Sequence, residues 1–227
     1  MITANPNRGA AWIFGPYLNH LFRGHFQAFH LLGEIPETDP TLPLVFMPNH
    51  STWWDGFFVW WLNKSLFQRP FYVMMLAEQL QRFSFFRRLG AYGLDPGNAK
   101  STVQALRYTV ERLAETPPPT LCFFPQGELL PWQNNNLRLR EGISWISAHS
   151  PGKITALPLG IRVEMLAQQR PEVFFAFGRP VPIGEKKAVD MNALTGIMES
   201  LLAEMAGDIV QKRETKILFS GKRSLSE

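Results

Sequence analysis

The chain has 227 residues, 45% hydrophobic and 19% charged, which predicts one globular domain with a sizeable core and excludes a disordered polymer. A net charge of +4 accompanies 18 Phe and 7 Trp. That mild basicity excludes the dense Lys/Arg patches of a nucleic-acid binder and fits the surface of an anionic membrane. The only cysteine, Cys122, lies in the apolar run 121–124 and reads as a small buried hydrophobe with no partner for a disulfide.

Residues 1–33 carry Arg8 and Arg23 and no acid, with Trp12, Phe14, Tyr17, Phe22, Phe26 and Phe29 interleaved. They read as an N-terminal amphipathic segment lying at a membrane interface, with a core-packing helix as the alternative. His20, His25 and His30 recur every five residues without companion acids, so no metal site is expected. Residues 34–212 form the main domain. Its first strand is 44–47, followed by Asn49-His50-Ser51-Thr52-Trp53-Trp54-Asp55 and an apolar run over 56–62. That run is far shorter than the roughly 18–20 residues a spanning helix needs. Its Phe57, Phe58, Trp60 and Trp61 suit a channel wall, a lipid contact or the core. The start of the chain lacks the apolar block and cleavage site of a signal peptide. The chain is therefore expected to lie peripherally on the cytoplasmic face of a membrane.

Further strands are predicted over 71–76, 91–94, 120–124, 154–163 and 173–177. A helix over 101–115 places Val103, Leu106, Val110 and Leu113 on one stripe and ends before Pro117-Pro118-Pro119. A second begins near Asp190, with Met191, Leu194, Met198, Leu201, Leu202 and Met205 inward. Residues 213–227 read as a polar, flexible tail. Strands alternating with helices predict a single α/β domain with a mixed or mostly parallel sheet flanked by helices.

A histidine at a strand end with an aspartate five residues on is suited to general-base chemistry, the carboxylate fixing the imidazole tautomer. Along one regular helix the two would diverge by about 140°. They meet only if His50 stays in the loop and a helix beginning at Ser51 or Thr52 brings Asp55 back. The same spacing also fits Asp55 as a simple helix cap. Three later segments add chemistry. Residues 121–128 run a buried strand into a turn at Pro125-Gln126-Gly127-Glu128, where Gly127 allows close backbone approach. Pro158 interrupts a strand, implying an edge or bulge. Arg87 and Arg88 follow Phe85-Phe86 as a candidate phosphate clamp. Gly-x-Ser-x-Gly and glycine-rich phosphate loops are absent.

In this order the segments resemble the phospholipid and glycerol acyltransferase family, across roughly residues 40–185. Asn49, His50 and Asp55 match its Asn-His-x4-Asp block. Phe124, Pro125 and Gly127 match Phe-Pro-Glu-Gly, with Gln126 in place of glutamate. Leu157-Pro158 matches its apolar-proline block, and residues 177–181 its closing strand and turn. The resemblance implies acyl transfer from a thioester on coenzyme A or a carrier protein, as co-substrate and with no cofactor. In it, His50 is the base, Asp55 orients it, and amides near Gly127 hold the oxyanion. Phe124, Pro125, Gln126, Gly127, Glu128, Arg87, Arg88 and Pro158 become the expected substrate contacts, and membrane lipids the partners. Two departures fall where the family recognises an acceptor phosphate: Pro96 stands at the arginine position, and Gln126 and Glu128 alter the third block. They imply an acceptor other than lysophosphatidate, such as a phosphate-free lipid alcohol. A thioesterase and a non-catalytic lipid-binding protein are the alternatives.

Overall fold

The computed structural model describes residues 1–132 and 137–223. The strands are β1 (Ala28–Leu32), β2 (Leu44–Pro48), β3 (Phe71–Leu76), β4 (Ala91–Leu94), β5 (Thr120–Cys122), β6 (Lys153–Glu164), β7 (Glu172–Phe177), β8 (Val181–Gly184) and β9 (Lys216–Ser220). The α-helices are α1 (Arg8–His25), α2 (Asp55–Leu62), α3 (Ala77–Arg82), α4 (Ala99–Leu113), α5 (Gly142–His149) and α6 (Met191–Val210). All nine strands join one sheet in the order β4-β3-β5-β2-β6-β7-β1-β9, with β8 also on β6. The run β4-β3-β5-β2-β6 is parallel. β7, β8 and β9 each make an antiparallel pair, so the sheet is mixed but mostly parallel.

Strands in the middle of the sheet are covered on both faces, which explains their nearly unbroken apolar sequences. In β2, Leu44 and Phe46 pack on one side with Phe22, Phe58 and Trp61 of α1 and α2. Val45 and Met47 pack on the other with Leu106, Ile146 and Met198 of α4, α5 and α6. The result is a three-layer α/β domain.

Several expectations are revised. Residues 1–33 do not stand apart from the domain. Asn7 caps α1 by accepting the Ala10 N–H at 2.9 Å. Phe14, Leu18 and Phe22 then enter the core, and β1 is a full member of the sheet. Residues 213–227 are not a free tail as far as described: β9 pairs with β1, and Phe219 lies 4.8 Å from Phe29, ring to ring. β9 escapes sequence reading because its apolar Ile217, Leu218 and Phe219 are flanked by lysines and only half covered. On α4 the buried stripe is Ala105, Leu106, Thr109 and Leu113, while Val103 faces outward. The Thr109 hydroxyl, bonded to the Tyr92 hydroxyl at 2.5 Å, is what turns that face inward. The methionines of α6, Met198 and Met205, pack inward.

Pro158 is not on an edge strand. β6 lies between β2 on one side and both β7 and β8 on the other. β8 pairing ends at Ala156 and β7 pairing begins at Leu159, so Pro158 sits at the gap between them. A residue without an N–H loses nothing where no partner strand is present.

Candidate active site

β2 ends at Pro48, and the next two residues are held by β6 and by the segment that follows β5. The Asn49 carboxamide is buried and bonds both backbone groups of Ile161, at 3.0 and 2.7 Å, imitating one more ladder step on β6. The His50 N–H donates to Gln126 Oε1 at 2.7 Å, and the His50 carbonyl accepts the Leu130 N–H at 2.9 Å. A turn over 51–54 follows, and α2 begins at Asp55 rather than at Ser51 or Thr52.

Asp55 is fully buried and closes that turn. Its Oδ2 accepts from the Ser51 N–H at 2.8 Å, the Thr52 N–H at 2.9 Å and His50 Nδ1 at 2.9 Å. Its Oδ1 accepts from the Thr52 hydroxyl at 2.5 Å. Asp55 does not cap α2, whose N-cap residue Trp54 has no side-chain cap bond; the carboxylate closes the preceding turn and holds the imidazole. With Nδ1–H given to Asp55, Nε2 is the ring atom left with a lone pair. The ring stacks on Phe124, 4.0 Å between centroids, and keeps 22% of its side chain exposed.

His50 lines a cavity of about 420 Å³, within the range typical of small-molecule sites. Its walls are apolar. Phe14 comes from α1, Phe57 and Trp60 from α2, Phe71 and Val73 from β3, Ala91 from β4, and Phe86 and Leu89 from the 3-10 turn Ser84–Leu89. The polar side chains in the lining are His50, Gln79 and Glu128. Of the aromatics on α2, Phe57 and Trp60 face the cavity, whereas Phe58 and Trp61 belong to the core.

The family model described as Acyltransferase matches residues 30–162, more than half of the chain and the whole stretch that carries His50, Asp55 and the Phe124–Gly127 turn. The chain belongs to the acyltransferase family. It is an acyltransferase, an enzyme that moves an acyl group. Among solved structures it is similar to the 1-acyl-sn-glycerophosphate (LPA) acyltransferase PlsC from Thermotoga maritima. The TM-score is 0.59 at 15% identity, over 90% of this chain and 81% of that one, a likeness of fold. No curated protein sequence matches. Among the described residues of the acyltransferase, no helix is long and apolar enough to cross a membrane.

The other expected contacts of the acyltransferase divide. Phe124, Gly127 and Glu128 line the cavity. Gln126 is buried, accepts the His50 N–H and is not among the described residues that line this cavity. Pro125 is buried behind the turn, where its carbonyl accepts the Arg140 N–H at 2.8 Å. Gly127 has φ +71°, which requires glycine, and its N–H donates to the Phe124 carbonyl at 3.1 Å. That amide closes the turn, so it is already committed and does not point at a substrate oxyanion. Pro158 is buried against Gly178 and does not reach the cavity.

Arg87 and Arg88 do not form a clamp on the cavity. Their carbonyls accept the Asn5 and Asn7 N–H groups, and Arg87 Nε donates to the Thr3 carbonyl at 2.9 Å. The pair ties down the N-terminus, while their neighbours Phe86 and Leu89 face the cavity. Sequence reasoning missed Gln79 and Phe14 as cavity residues, and it matched Asn49 to the family's first block without giving it a role. Only Asn49 carried a signal, its place beside His50 at a strand end.

Proposed function

We propose that this acyltransferase carries a fatty acyl group from a thioester, on coenzyme A or an acyl carrier protein, to the hydroxyl of a lipid alcohol. The observation that carries the reading is the Asp55-held imidazole of His50 opening onto an apolar cavity. His50 Nε2 takes the proton of the acceptor hydroxyl as that oxygen attacks the thioester carbonyl. Collapse of the tetrahedral adduct breaks the C–S bond, and the imidazolium returns the proton to the thiolate. The products are an oxygen ester and a free thiol. Asp55 stabilises the imidazolium and holds the tautomer, as a buried carboxylate does in other histidine-dependent acyl transfers. No covalent enzyme intermediate and no cofactor are needed, because the thioester is already activated. The acyl chain lies along Phe57, Trp60, Phe71 and Leu89.

The reaction takes place at a membrane surface. Trp12, Ile13 and Tyr17 of α1 are 75%, 66% and 56% exposed, and Trp53 is 60% exposed. This apolar surface adjoins the cavity: Phe14, a cavity wall, contacts Tyr17, Phe85 and Phe57. An exposed aromatic patch beside an apolar cavity suits transfer of lipid chains directly from a bilayer interface.

The test is thiol release with identification of the lipid product by mass spectrometry. His50→Ala is expected to lose about 10²–10⁴ in rate while keeping its circular dichroism and unfolding midpoint. A folded His50→Ala enzyme as fast as the wild type, or free fatty acid as the main product with acceptor in excess, would overturn the proposal.

A further inference from the structure

Resting on that reading, we infer that the acceptor alcohol carries an uncharged, hydroxyl-bearing head, and that the cavity mouth selects against a phosphomonoester. The polar side chains lining the cavity are an imidazole, a carboxamide and a carboxylate: His50, Gln79 and Glu128. Among the described residues, no Lys or Arg lines the cavity. Recognition of a phosphomonoester, with a charge near −1.5 to −2 at neutral pH, relies on paired cations or converging N–H donors.

Arg82, Arg87 and Arg88 flank the lining in sequence without joining it, and the Arg88 side chain is exposed. Arg87 is held on the Thr3 carbonyl, and Arg82 lies over the Phe83 ring with 5.2 Å to its centroid. Arg140 gives its Nε to the Gln126 carbonyl at 3.1 Å and stands 3.9 Å from Glu128. Arg140 and Glu128 meet only in this long, exposed contact, so a phosphate approaching Arg140 would also meet the Glu128 carboxylate. Residues 133–136, outside the described set, are Gln-Asn-Asn-Asn and bring no cation.

The same groups suit a neutral polyol. A carboxylate accepts from hydroxyls, and a carboxamide both accepts and donates. Trp53 offers an exposed indole face at the mouth, whose negative π surface favours the C–H face of a sugar-like ring. Discrimination then rests on a repulsive element, Glu128, as well as on attractive ones.

The experiment compares kcat/KM for lysophosphatidate with that for monoacylglycerol and an alkyl glucoside, using purified full-length enzyme, one acyl-CoA donor and thiol release with product mass. At least tenfold preference for a neutral polyol acceptor is expected, and Glu128→Arg should narrow that ratio by tenfold or more. Lysophosphatidate used as well as or better than both neutral lipids, or an unchanged ratio in a folded Glu128→Arg enzyme, would overturn the inference and leave acyl transfer standing. Thiol release unaffected by any acceptor would overturn the acyl-transfer reading itself, and this inference with it.

Discussion

At the scale of single residues, the site turns on one buried carboxylate that serves two structures. Asp55 closes the 51–54 turn with two backbone N–H bonds and a hydroxyl, and it also holds His50. Asp55→Ala should therefore lower both stability and rate. Each buried donor left without a partner costs about 1–3 kcal/mol, which a urea unfolding midpoint would register. Asp55→Asn, of equal size, should recover part of the midpoint and little of the rate; equal recovery of both would show the carboxylate to be structural only. The His50–Asp55 pair was legible in the sequence because its partners are close along the chain. The role of Gln126 was not, because its bond to His50 spans 76 residues and depends on where β5 lies beside β2. The two arginines misled for the same reason. A cation pair in sequence says nothing of direction, and here the Arg87 side chain turns to the Thr3 carbonyl while Arg88 is exposed outside the cavity lining.

At the scale of elements, α1 has the core face that one reading of its sequence required, and it leaves an apolar face uncovered. Phe14, Leu18 and Phe22 form its core face, and Trp12, Ile13 and Tyr17 remain uncovered. Its membrane role is tested by Trp12→Ser with Tyr17→Ser, which touches no core position. The double variant should bind anionic phospholipid vesicles several-fold more weakly with its unfolding midpoint unchanged, as measured by vesicle sedimentation. Binding equal to wild type would remove α1 from the membrane contact. The strands with strong apolar sequences, such as β3 and β4, were legible to their ends. β1 and β9 were not. β1 sits next to a helix of similar aromatic content, and it carries His30, whose partners Glu172, Phe174 and Thr215 lie far along the chain.

At the scale of the whole molecule, alternating strands and helices were enough to predict an α/β domain, but not the strand order. Order follows from which crossovers bury both faces, and that is a property of the assembled layers. The packing itself can be probed through Cys122, whose thiol burial pushes well above its ordinary range. The native enzyme should resist a soluble thiol reagent and take up one equivalent only in denaturant, read by mass; rapid labelling without denaturant would contradict a closed central layer. The lashing of Asn49 to Ile161 has a broader consequence. The His50 imidazole is moored to β2, β6 and the turn after β5, whereas most of the cavity wall is contributed by α1, α2, β3, β4 and the 3-10 turn. Under the proposed function, chemistry and selectivity would reside in largely separable pieces of the polypeptide. Descendants of such a scaffold would then exchange one acceptor for another by remodelling its periphery, without retuning the proposed base.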